Sequence, residues 1–380
     1  MRGLKGTARN MTNSEVLLGL HLTGVIGPRR LKAAREYFTD LSDVFGSSEE
    51  ELSRLPDWTV SSARKVCLFQ EPLAQVEREL SKAEKNGISV LVEGDGEFPR
   101  VFGNLYDPPF VLWRLGKYRP EDEKAIAVIG CRKPSAYGKL SAFRLAEDIA
   151  RAGYTVISGL ARGIDSTAHQ GALKFPKGRT LAFLGSGLLN LYPPENRKLA
   201  EAIAERGAVF SEYPLLAKPL ALHFPQRNRL ISGASKGVLV VEAKKDSGSF
   251  ITVDHAIDQG KPVFAVPGPI THTESEGSHA LIQQGAKLVM GVEDIFHELQ
   301  DMSAETVFRS RKNRPSLEVV EENLTEEERK VLDLVSYTPV HVDVLSRESQ
   351  MVLRRLNETL LNLEMKGLVQ QAPGHSYFKI

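Results

Sequence analysis

Between residues 125 and 300, short apolar runs recur at regular intervals: "AIAVIG", "YTVISG", "TLAFLG", "AVFSEY", "GVLVVEA", "PVFAVPG" and "AKLVMG". A strand that is apolar at successive positions must be covered on both faces, which parallel strands with helical crossovers achieve. The stretches between them, such as "GKLSAFRLAEDIARAG" and "PENRKLAEAIAERG", space their apolar residues as amphipathic helices do. The pattern predicts a doubly wound, mostly parallel α/β sheet. Ligands of such sheets sit outside the carboxyl ends of the strands, where loops run into helices.

Those loops are rich in glycine and small hydroxylated residues: "IGCRKPSAYG", "SGLARGIDSTAH", "GSGLLNLYPPEN" and "EAKKDSGSFIT". Small side chains let backbone amides approach an anion closely. Gly130, Ser158, Gly159, Gly163, Ser186, Gly187, Ser247 and Gly248 are the candidates of this kind. The stretch "HFPQRNRLISGAS" sets Arg227 and Arg229 around Asn228, where a helix through Leu230 and Ile231 is expected to begin. With Arg132, these guanidinium groups offer bidentate bonds to phosphate oxygens. Phe224 reads either as a platform for an unpaired base, worth about 1–3 kcal/mol, or as a core residue beside Pro225. Asp165 reads as a cap or loop brace rather than an acid catalyst, and Glu242 as a carboxylate that orients an arginine rather than a general base. So many anion-binding loops exceed the needs of one mononucleotide and suit a polyanion lying across the sheet.

Catalytic patterns are missing. No G-x-x-x-x-G-K-[ST] occurs, and "GSGLLN" lacks the third glycine of a dinucleotide fingerprint. His169, His223, His255, His272 and His279 are scattered, and the serines of the glycine turns lack a nucleophile elbow. No cofactor, metal or enzymatic activity is expected. The formal charge of +1 excludes a protein that coats nucleic acid by net charge. Cys67 and Cys131 form neither a disulfide framework nor a zinc pattern. With no spanning run and no secretion signal, a cytoplasmic location away from membranes is expected.

The flanks differ in character. Residues 1–11 read as a loose tail, ending at a capping box between Thr12 and Glu15. Residues 12–70 resemble tandem helix-hairpin-helix units of a SAM-like domain, with phosphate binding and plain packing both open. Residues 71–121 read as a bridge into the sheet domain, taken as 122–300, and 301–323 as a polar linker. Residues 324–380 offer three helices and a hairpin, a winged helix. Residues 317–380 hold seven Lys/Arg against eleven Asp/Glu, leaving a net −4. That charge disfavours duplex recognition, which depends on basic contacts, and points to protein contacts instead. Arg354 and Arg355 are the exceptions in its recognition helix.

The ordered set "GCR", "SGLARGID", "GSGLLNLYPPEN", "SEYP", "FPQRNRLISG", "VEAKKDSGSFIT" and "VFAVPGP…GSHALIQQGA", over residues 88–295, resembles the DNA-processing protein A family (DprA, also called Smf). The resemblance implies an extended Rossmann-like domain that binds single-stranded DNA, works as a homodimer and loads the recombinase RecA during natural transformation. It implies a DNA-backbone contact for Arg132 and loop contacts for Gly159, Gly163, Ser186 and Gly187. Arg227, Asn228 and Arg229 match the family's FPxRNR segment, and Lys218 lies in a loop that is basic in the family. Cys131 departs from the usual Ser or Thr, and His279 from the usual Asn. The alternative is a nucleotide-processing enzyme of the lysine-decarboxylase-like (phosphoribohydrolase) type, whose P-G-G-x-G-T pattern "VPGPITHTESEG" does not complete.

Overall fold

The computed structural model describes residues 11–301, 324–336, 339–365 and 368–379. The expected tail, apart from Met11, and the expected linker, apart from Asp301, lie outside the described residues.

Five helices open the chain: α1 (Asn13–Leu22), α2 (Pro28–Tyr37), α3 (Glu49–Ser53), α4 (Val60–Cys67) and α5 (Pro72–Lys85). The start of α1 is set by the capping box read from sequence. Thr12 Oγ1 accepts from Glu15 N, and Glu15 Oε2 accepts from Thr12 N at 2.7 Å. Gly24, at φ +71°, turns the chain, and Pro28 opens α2 where its missing N–H costs nothing. Leu17, Leu18 and Leu20 of α1 join one core with Trp113 and Val209 of the sheet.

The strands are β1 (Ile88–Val92), β2 (Val111–Gly116), β3 (Ala125–Ile129), β4 (Thr155–Ser158), β5 (Thr180–Leu184), β6 (Ala208–Ser211), β7 (Val238–Val240), β8 (Val263–Ala265) and β9 (Lys287–Leu288). They form one nine-stranded sheet in the order β1-β2-β6-β5-β4-β3-β7-β8-β9. Strands β3 to β9 are parallel, as the apolar runs predict. The stretch 71–121 is more than a bridge, because β2 pairs antiparallel with β6 and β1 antiparallel with β2, extending the sheet. Helices α6 (Ala136–Arg151), α7 (Ile164–Lys174), α8 (Arg197–Arg206), α9 (His223–Gly233), α10 (Ser249–Asp258), α11 (Glu276–Gln283) and α12 (Val292–Glu298) cover the two faces. In α6, Ser135 caps the start by accepting from Gly138 N. Ala142, Leu145, Ala146 and Ile149 then bury one helical face against β3 and β4. Phe183 and Phe210 stack at 5.3 Å on the opposite face of the sheet. Each buried ring contributes roughly 1.5–3 kcal/mol through the hydrophobic effect.

The C-terminal part comprises α13 (Glu326–Leu334), β10 (Val340–His341), α14 (Val342–Ser349), α15 (Leu353–Met365), β11 (Val369–Ala372) and β12 (Ser376–Lys379). Its three-stranded sheet, ordered β10-β12-β11, completes the winged helix. Among the described residues, no helix is long and apolar enough to cross a membrane.

Candidate nucleic-acid interface

The strand order reverses between β3 and β7, since β4, β5 and β6 lie to one side and β8 and β9 to the other. A cleft of about 820 Å³ opens at that point, on the carboxyl ends of the strands. One wall is the turn after β3, with Gly130, Arg132 and Lys133; the other is the turn after β7, with Lys244, Ser247 and Gly248. Asp165 from α7 and Phe224, Arg227 and Asn228 from α9 complete it. The sheet topology thus gathers eight of the sequence candidates from two turns and two helices.

The wall with Arg132 is held by Glu242, a buried carboxylate just beyond β7. Glu242 Oε2 accepts from Ser135 N at 2.9 Å, and Oε1 accepts from Ser135 Oγ at 2.5 Å. A Cβ at Gly138 would collide with this carboxylate, so glycine is required there. The expectation that Glu242 orients an arginine is therefore corrected: it anchors the β3–α6 turn. Arg132 and Lys133 stand exposed on that turn. Beside them, burial and the Glu242 carboxylate push the Cys131 thiol up to about 11.

Arg227 forms the floor. Its Nη1 donates to Gly159 O at 2.8 Å and to Phe183 O, and its Nε to Asn228 Oδ1 at 3.2 Å. Burial pulls its pKa down to about 10, against the attraction of Asp165, so it stays charged at neutral pH. Asp165 braces the loop as expected, with Oδ2 accepting from Gly159 N and Ala161 N at 3.1 and 3.3 Å. Burial raises its pKa, while Arg227 and those amides pull it down. His169, deeper behind the loop, is held neutral, its pKa pulled to about 3 by burial and Arg227.

An aromatic row borders the cleft. The Arg132 Cζ lies 5.8 Å from the Phe224 ring centre. Phe224 meets Tyr192 edge-on at 5.8 Å, and the Arg162 Cζ lies 5.7 Å from the Tyr192 ring. Gly185 makes room for the other side of the Phe224 ring.

Several candidates sit elsewhere. Helix α9 begins at His223, not at Leu230, so Arg227 and Arg229 occupy its second turn rather than its anion-binding start. Pro225 is tolerated because first-turn amides have no partner within the helix. Arg229 turns away from the cleft, donating from Nε to Asp107 Oδ2 at 2.9 Å and from Nη2 to Glu212 Oε1 at 2.7 Å. Two nearby carboxylates hold its guanidinium. Ser158 is fully buried and donates to Val128 O at 2.6 Å, and Ser186 is also fully buried. A Cβ at Gly163 would strike the backbone of Cys131 and Arg132, and one at Gly187 the carbonyls of Pro214 and Leu215. At these two positions glycine serves loop-to-loop packing. A Cβ at Gly159 would press on the Arg227 guanidinium. Lys218 is exposed on the loop before α9, whose Pro219 and Ala221 line the cleft.

The sequence reading missed Lys133, Lys244, Tyr192 and Arg162. Lys133 and Lys244 adjoin or share quoted motifs, and their charge was the signal. Nothing local marks Tyr192, whose position depends on a contact with α9. Lys244 is paired with Glu274 at 3.3 Å.

A family model described as DNA recombination-mediator protein A matches residues 89–300, and one described as the DprA winged helix domain matches residues 315–375. The DNA processing protein DprA of Bacillus subtilis is 41% identical over 229 residues, covering 60% of this chain and 77% of that protein. Protein Smf of Escherichia coli is 40% identical over 293 residues, covering 75% and 76%. The X-ray structure of DprA from Streptococcus pneumoniae matches with a TM-score of 0.66 at 31% identity, over 76% of this chain and 99% of that one. A structure of DNA processing protein A from Helicobacter pylori, concerned with its single-stranded DNA binding mode, matches with a TM-score of 0.51 at 30% identity, over 56% and 96%. These relatives favour the recombination-mediator reading over the nucleotide-processing alternative. The chain, with its sheet domain and winged helix both matched, belongs to the DNA recombination-mediator protein A family, whose members are called DprA or Smf.

Proposed function

We propose that the protein holds single-stranded DNA along the carboxyl rim of its sheet, without acting on it chemically, and presents it to a RecA recombinase. The observation that carries this reading is the juxtaposition at the switch point of exposed Arg132, half-buried Phe224 and the charged floor of Arg227. Phosphate contacts from Arg132 and Lys133 supply affinity for any sequence. When Arg132 swings onto a phosphate, the ring face of Phe224 is freed for a base, which prefers an unpaired strand. The single-stranded DNA binding mode described for the Helicobacter pylori relative supports the same reading. The RecA partner, a homodimeric state, a cytoplasmic setting and a part in natural transformation rest on the family resemblance.

The test uses Arg132→Ala and Lys133→Ala, two exposed side chains whose loss leaves the core intact. Binding to single-stranded oligonucleotides of any sequence should weaken. The slope of log affinity against log salt should fall by about one for each phosphate that is no longer neutralised. Wild-type binding by the double variant throughout the salt titration would overturn the assignment.

A further inference from the structure

We infer that the groove between α2 and the segment 106–110 is a second nucleobase site for the same strand; this rests on the single-stranded DNA reading above. The register of the antiparallel extension places the groove. Val111 pairs with Val92, and Trp113 pairs with Ser211 at the carboxyl end of β6. Residues 106–110 and Glu93 therefore emerge on the same rim as the switch-point cleft.

The groove measures about 570 Å³. On its border the Tyr106 ring is 85% exposed, with the Arg29 Cζ 5.5 Å from its centre and Arg29 Nη2 3.4 Å from its hydroxyl. An arginine beside an exposed ring suits a base, which stacks on the ring while its phosphate meets the guanidinium. Other cations of the groove are engaged: Arg35 pairs with Glu93 at 2.9 Å, and Lys32 faces Glu36 at 4.0 Å. The site therefore works by stacking more than by charge. Its position relative to the cleft is held through the neighbour of Tyr106. Asp107 is ion-paired to Arg229 of α9, the helix that carries Phe224. From β2 to β3 the sheet order counts four strand steps, or about 19 Å at roughly 4.8 Å each. A duplex strand rises about 3.4 Å per nucleotide and an unstacked single strand covers more, so that span takes at most about six nucleotides. A short strand fills the cleft alone, and a longer one reaches Tyr106.

The test measures binding of the full chain to fluorescein-labelled oligothymidylates of about 3 nucleotides, too short to run from the cleft to Tyr106, and of about 24 nucleotides. Tyr106→Ala should weaken the long oligonucleotide by about fivefold or more and leave the short one unchanged. Arg29→Gln should give the same length-selective loss, and Tyr106→Phe should restore wild-type affinity. Equal weakening at both lengths, or none at either, would overturn the groove. Arg132→Ala separates the two proposals. If it abolishes binding at both lengths while Tyr106→Ala binds as wild type, the cleft stands and the groove falls. If Arg132→Ala binds both lengths as wild type, the cleft itself is refuted.

Discussion

Replacing Arg229 with alanine takes one guanidinium away from two carboxylates of unequal burial. The Arg229 side chain is 7% exposed, Glu212 13% and Asp107 48%. Asp107 remains hydrated after the change, so that half of the pair is worth at most about 1 kcal/mol. Glu212 has less access to water, and removing the partner of a buried charge costs about 3–5 kcal/mol. Among the described residues Arg229 Nη1 has no hydrogen-bond partner, which weakens the native arrangement and favours the lower end of that range. A loss near 3 kcal/mol should lower the melting temperature by about 6–12 °C, at 2–4 °C per kcal/mol for a domain of this size. The assay pairs thermal melting with a salt titration of oligonucleotide binding. Arg229→Ala should melt early and keep the wild-type salt slope. Adding Glu212→Gln should recover part of the missing stability, because the stranded charge is gone. A variant that melts like wild type but loses a unit of salt slope would show Arg229 on a phosphate, and the buried-pair argument would be refuted.

His169 gives a pH signature. Its Nδ1 donates to Thr180 Oγ1 at 2.7 Å, because that hydroxyl already donates to Val156 O. Burial lowers its pKa from 6.5 to about 3, so the unfolded chain takes up a proton that the folded chain refuses. Stability is therefore complete above pH 6.5 and falls as pH drops towards 3, by about 1.4 kcal/mol per unit. Denaturant titrations across that window should show the fall, and His169→Asn should flatten it; an unchanged slope in the variant would be contrary to this account. Glu242→Gln should cost about 1–3 kcal/mol, since an amide supplies one acceptor where Ser135 requires two. It should also weaken DNA binding through the turn that carries Arg132, and wild-type melting together with wild-type affinity would dismiss that anchoring role.

Local features were legible. The capping box of Thr12 and Glu15 lies within one helical turn, and the parallel strands β3 to β7 carry their burial in their own composition. Residues that meet across the fold were not. Nothing in "GISVLV" announces that β1 joins the sheet through β2, because the partner β6 lies far downstream. The motif "RNR" reads identically whether a guanidinium meets phosphate or carboxylate; only Asp107 and Glu212 decide it for Arg229. Glycines at 163 and 187 look like ligand-approach positions, yet the close neighbour is another loop. Asp165 was read correctly as a brace because its two amide partners lie four and six residues away.

Strand β6 has β5 on one side and β2 on the other, and all four of its residues are buried. Without the stretch 88–116 it would become the outer strand, with unpaired N–H and C=O groups beside apolar side chains. Such a margin recruits strands from other molecules. The early part of the chain is thus also a guard on the sheet, and a shortened protein starting at β3 should self-associate through β6.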